Sequence, residues 1–131
     1  MKHFKDVDLF KKELRNLLIK ELSKPFEILK KYKERELREV EKRDISGNID
    51  LFTAIRELSD LAEAILQHAY NIIKSSFQYE FGTPKTEEYK DAKFAIIGMG
   101  KLGGRELNYH SDLDLVFVYD QKGKTTDGMP N

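Results

Sequence analysis

Between residues 51 and 72 the apolar side chains fall at Leu51, Ile55, Leu58, Ala62, Ile65, Ala69 and Ile72. Alternating steps of four and three keep them on one side of an α-helix. The spacing predicts one long helix with a continuous apolar seam, packed against neighbouring helices. Asp50 is placed to cap its start, after a turn at Ser46-Gly47-Asn48, and Gly82-Thr83-Pro84 closes it.

Two further helices precede it. Phe10, Leu14, Leu17, Leu18 and Leu22 form one face of a helix that begins near Val7 and is broken at Pro25. Residues 26–43 are mostly charged, with Phe26, Leu29, Tyr32, Leu37 and Val40 as sparse apolar anchors. Signs mix at helical spacing there, which describes a solvated helix face.

Hydrophobic residues make up 40% of the 131, enough for a packed core and too many for a chain disordered throughout. The 23 Lys and Arg match the 23 Asp and Glu, so a bulk electrostatic footprint for nucleic acid is absent. Cysteine is absent, which excludes disulfides and thiolate metal sites. No run approaches the ~18–20 apolar residues of a membrane span, and residues 1–10 lack a signal-peptide core. A soluble cytoplasmic protein is expected, with neither nucleic acid nor membrane as partner.

Beyond Asp91 the composition changes. Phe94–Ile97 reads as a short buried strand ending in glycines, and Leu113–Tyr119 as a second strand. Lys101–Asn108 is expected as a short helix between them, and Gln121–Asn131 as a loop. The fold class is α+β, with a helical region at 1–82, a polar linker at 83–92 and the start of a second unit at 93–131.

Lys93–Asp120, KFAIIGMGKLGGRELNYHSDLDLVFVYD, carries the chemistry. Gly98, Gly100 and Gly103 fit the G-x-G-x-x-G of a dinucleotide fold, with Asp120 near the place of its ribose-binding acid. That reading leaves too few residues for a crossover between parallel strands, and gives Asp112 and Asp114 no role.

A second reading accounts for more residues. Asp112 and Asp114 are two apart at the head of an apolar strand, so alternation puts both on one face. Paired carboxylates repel unless a cation lies between them, and Mg²⁺ prefers such hard oxygen ligands while keeping positions open for water and phosphate. The loop Gly98–Gly104 can bring backbone N–H groups to phosphate oxygens, with a helix N-terminus behind it. A phosphate cradle beside a metal-binding carboxylate pair suits nucleotidyl transfer, where catalysis is mainly positioning and charge neutralisation.

Gly100, eleven residues, Asp112, one residue and Asp114 resemble the G-x11-D-x-D signature of the DNA polymerase beta-type nucleotidyltransferases. The string GMGKLGGRELNYHSDLDLVFVYD, with RELSDLAEAIL upstream, resembles the glutamine synthetase adenylyltransferase family over roughly residues 37–120. The resemblance implies a polymerase beta-type core, with Asp112 and Asp114 as catalytic metal ligands for Mg²⁺ or Mn²⁺. It implies Gly100, Lys101, Gly103, Gly104 and Ser111 around the nucleotide, ATP or ADP. Lys101 stands where the superfamily has a small residue.

The family has two catalytic halves, and Glu106-Leu107-Asn108 resembles the N-terminal, de-adenylylating one. The implied reaction is phosphate attack on an adenylyl-tyrosine of glutamine synthetase, yielding ADP; the whole protein also attaches AMP from ATP. A nitrogen-signalling P-II type regulator is the further implied partner.

The superfamily needs a third carboxylate, which neither Asp120 nor Asp127 matches. The chain is therefore expected to be a fragment of the N-terminal half, inactive alone. The alternatives are another polymerase beta-type nucleotidyltransferase and a non-catalytic helical regulatory module. His3, His68 and His110 have no metal-ligand spacing. Arg105 is open to either phosphate contact or plain exposure.

Overall fold

A computed structural model describes residues 4–126, so His3 and Asp127 lie outside the described residues. Three helices come first: α1 (Val7–Lys20), α2 (Pro25–Ile45) and α3 (Leu51–Phe81). Each begins where the sequence supplies a start signal. The Asp6 carboxylate accepts from the Leu9 N–H at 2.9 Å, Pro25 opens α2, and the Asp50 carboxylate accepts from the Thr53 N–H at 2.7 Å. Gly82, at φ +81°, ends α3.

The helices share two apolar clusters. Phe10, Leu14, Leu29, Tyr32, Leu61 and Ala64 form one, with Phe10 edge-on to the Tyr32 ring at 6.4 Å. Val40, Ile49, Ala54, Leu58 and Leu107 form the other. Three predicted apolar anchors are exposed instead: Leu22 lies beyond α1, and Phe26 and Leu51 point to solvent. The buried stripe of α3 is instead set by Ala54, Leu58, Leu61 and Ala64.

Polar residues occupy the same stripe. Glu57 is fully buried and receives the Arg43 guanidinium and the Lys5 backbone N–H. Beside it, Lys5 Nζ donates to Glu13 at 3.0 Å and Glu36 at 2.9 Å, and the Tyr32 hydroxyl donates to Glu13 at 2.6 Å. Buried carboxylates are held here because cations and hydroxyls meet them.

After α3 come β1 (Pro84–Thr86), β2 (Phe94–Gly98), a single turn α4 (Gly100–Gly103), β3 (Leu115–Tyr119) and β4 (Gly123–Thr125). β2 pairs antiparallel with β3, from Phe94 opposite Tyr119 to Gly98 opposite Leu115. β1 pairs antiparallel with β4. These last two strands correct the expected linker and loop. Their residues are polar and have no apolar alternation, so only the long-range pairing reveals them.

Two boundaries also move. The expected helix 101–108 shortens to one turn, because Gly103, Gly104 and a left-handed Arg105 (φ +55°) stop it. The second strand begins at Leu115, leaving Asp112 and Asp114 in the extended segment that leads into it. The antiparallel β2–β3 pair overturns the dinucleotide reading, which requires parallel strands. Asp120 accepts from the Lys93 and Gln121 N–H groups at the end of β3, so its carboxylate caps a strand end.

Candidate nucleotide site

The glycine turn and the Asp114 carboxylate meet. Gly100 has φ +52°, and a Cβ there would lie 2.8 Å from Asp114 Oδ2. The turn can thus approach the carboxylate only because residue 100 has no side chain and tolerates the left-handed region. The Met99 N–H donates to the Asp114 carbonyl at 2.8 Å, extending the β2–β3 register to the mouth of the turn. Gly103 packs equally close to its own loop, since a Cβ there would lie 2.6 Å from the Gly98 carbonyl oxygen.

The loop satisfies several of its own amides. Gly103 N–H donates to Met99 O at 3.1 Å, Gly104 N–H to Gly100 O at 3.0 Å, and Glu106 N–H to Lys101 O at 2.7 Å. Gly103 and Gly104 therefore shape the turn, while Gly100 and Lys101 stand at its mouth with Lys101 exposed. One helical turn adds little field of its own, since a macrodipole needs aligned peptides.

Upstream of the carboxylates, Asn108 organises a second turn. Its side-chain oxygen accepts from the His110 N–H at 3.1 Å and from the Ser111 hydroxyl at 2.8 Å. The Ser111 hydroxyl in turn accepts from the Asn108 N–H at 3.0 Å. Ser111 is thus engaged with backbone and with Asn108. This Asx-type arrangement sets the chain direction into Asp112.

The segment between the two turns is fastened to the helices. The Arg105 guanidinium reaches Asp60, which is buried, and Glu63 at 2.9 Å. Leu107 is buried in the second cluster, and its N–H donates to Ser59 Oγ at 3.2 Å. The Tyr109 hydroxyl donates to Asp44 at 3.0 Å. Burial and that hydrogen bond raise the Tyr109 hydroxyl to about 12, so it remains a donor near neutrality. Ser59, Asp60 and Glu63 escape sequence reading because their partners lie more than forty residues away. The available signal is the interruption of an apolar stripe by Ser59-Asp60 beside Leu58 and Leu61.

His68 contacts the Lys11 carbonyl at 3.1 Å in helix packing, and His110 lies exposed in the turn. Among the described residues, no three or more His, Cys, Asp or Glu side chains gather to hold a metal. Asp112 and Asp114 offer hard carboxylate oxygens at an exposed position, a donor set that suits Mg²⁺ or Mn²⁺. No helix among the described residues is long and apolar enough to cross a membrane.

Comparison with known sequences gives the class first: adenylyltransferases. The chain belongs to the glutamate-ammonia ligase adenylyltransferase family, whose model matches residues 1–131. A bifunctional glutamine synthetase adenylyltransferase/adenylyl-removing enzyme from Burkholderia mallei is 39% identical over 89 residues, 68% of this chain and 10% of the relative. Relatives of the same name from Alteromonas mediterranea and Shewanella loihica are each 39% identical, over 76% and 77% of this chain. They are covered to 10% and 11% of their length. The chain thus spans about a tenth of the length of the curated relatives it matches.

Proposed function

We propose that this chain carries the nucleotide-binding turn and two metal-binding carboxylates of an enzyme that removes AMP from adenylylated glutamine synthetase by phosphorolysis. The close approach of Gly100 and Asp114 carries this reading, because it brings the glycine turn and the second carboxylate of the Asp112–Asp114 pair to one place. In the reaction, an oxygen of inorganic phosphate attacks the phosphorus of the adenylyl group. A new P–O bond gives ADP, the P–O bond to tyrosine breaks, and the tyrosine oxygen takes up a proton.

The side chains divide the work. Asp112 and Asp114 would hold Mg²⁺ or Mn²⁺, which supplies charge neutralisation for phosphoryl oxygens. Gly100 permits close approach of backbone to nucleotide, and the exposed Lys101 ammonium offsets phosphate charge at the turn mouth. In the whole protein the same family chemistry extends to adding AMP from ATP, under a P-II type regulator, in the cytoplasm.

Calorimetric titration with ADP and with ATP, each with Mn²⁺ and with NAD as control, tests the reading. Metal-dependent adenine-nucleotide binding is expected in the wild-type chain and lost in Asp112→Asn/Asp114→Asn. Nucleotide binding of equal strength in that double variant would sink it.

A further inference from the structure

Helix α3 does more than fill the core: we infer that Ser59, Asp60 and Glu63 are positioning residues for the nucleotide turn, acting through Arg105 and Leu107. The inference rests on the site reading above. Four observations lead to it.

Arg105 adopts a left-handed backbone conformation that residues with a Cβ rarely enter, so something outside the turn must hold it there. The holder is visible: its guanidinium lies between Asp60 and Glu63, successive carboxylates on one face of α3. Asp60 is buried, and Arg105 is the cation that meets it. A buried carboxylate is costly without its partner, so the helix fixes where the arginine must sit.

Two residues on, the Leu107 N–H is bound to the buried Ser59 hydroxyl while the Leu107 side chain enters the second cluster. The end of the turn is thereby pinned in both direction and depth. Packing alone does not do this along the whole loop. Beside the Tyr70–Phe94 ring stack that joins α3 to β2, a cavity of about 410 Å³ is lined by Leu66, Gly98, Leu102 and Gly103 among others. The polar latch and the flanking Leu102 and Leu107 therefore fasten the loop to the helices there.

The consequence is geometric. Gly100 lies five residues before Arg105, and the internal bonds of the turn, Gly104 to Gly100 and Glu106 to Lys101, make the segment a single body. Releasing Arg105 frees that body to move relative to Asp114, which is anchored by β3. Outer groups that orient a site commonly change affinity by about tenfold to a hundredfold when removed.

Two measurements on the 131-residue chain test this, using Arg105→Ala, Arg105→Lys and Asp60→Asn. Amide hydrogen exchange at Gly103, Gly104 and Glu106 should accelerate about tenfold or more in Arg105→Ala, with α1 amides unchanged, and Arg105→Lys should restore part of the protection. Unchanged exchange in the turn would overturn the inference whether or not the chain binds nucleotide. Titration of Mn²⁺ with ADP should show a dissociation constant weakened about tenfold or more in Arg105→Ala at full stoichiometry. A purely structural role would instead lower the competent fraction and leave the constant unchanged, and that result would also overturn it. A wild-type chain that binds no Mn²⁺–ADP would count against the site reading, while the exchange data would still decide the role of the latch.

Discussion

The Asp114 carboxylate occupies the space where a side chain at Gly100 would begin, 2.8 Å from the Cβ position. Glycine is therefore required twice at this residue, for its left-handed φ and for the room it leaves. Gly100→Ala is expected to cost about 1–2 kcal/mol of stability from backbone strain alone. Its larger effect is displacement of Asp114, so Mn²⁺-dependent ADP binding should be lost while the helical circular dichroism signal remains. Undiminished binding by Gly100→Ala would refute the link between the turn and the carboxylates.

Asn108 sets the approach to the carboxylate pair through its bonds to His110 and Ser111. Asn108→Ala should lower stability by only about 1 kcal/mol, the scale of a partly exposed hydrogen bond. Mn²⁺ affinity, read by electron paramagnetic resonance of free metal, should fall more than that stability change implies. Asn108→Asp should recover the turn, because its carboxylate can accept the same two hydrogen bonds.

Glu57 is the buried carboxylate on which α2, α3 and the Lys5 backbone converge. Glu57→Ala should destabilise the fold by about 3–5 kcal/mol, the cost of breaking a buried ion pair on one side. Urea denaturation followed by circular dichroism measures it directly. A loss below about 1 kcal/mol would show that the pair is solvated.

Acid should weaken the helical bundle through Glu13. Burial opposes its charged form, but the Tyr32 hydroxyl and Lys5 outweigh that and hold its carboxyl below the ordinary 4.5. A lowered folded-state value means the stabilisation is complete above about pH 4.5 and is lost as pH falls through the folded value. Thermal melts should therefore drop below pH 4.5 in the wild type, and Glu13→Gln should flatten that limb. An identical limb in both proteins would assign the acid sensitivity elsewhere.

The helix starts near Val7, at Pro25 and at Asp50 and the stop at Gly82 were legible in the sequence, because caps and breakers act locally. The strands flanking the glycines were legible for the same reason, their apolar runs being bounded by turn residues. The seam of α3 was legible as a helix but not in detail. Leu51 fits the period and still faces solvent, whereas Glu57, Ser59 and Asp60 are buried by partners far along the chain. β1 and β4 were hidden because their pairing is polar and non-local. In the site, Gly100, Asp112 and Asp114 stand out by spacing. Arg105 does not, since nothing beside it in sequence distinguishes a phosphate contact from a tether to Asp60.

α3 is one unbroken rod of 31 residues, about 46 Å long. Its first half carries the ion pair with Arg43 and the tether of the glycine turn. Its second half carries Ile73, Phe77 and Phe81 along an open apolar groove. Such a rod has mechanical leverage. Pivoting it by about 5° at the Asp50 end sweeps the Phe81 end through about 4 Å and the Asp60–Glu63 region through about 1–2 Å. Whatever load the aromatic end bears is thus geared down, by length alone, into a displacement of about 1–2 Å where α3 holds the glycine turn.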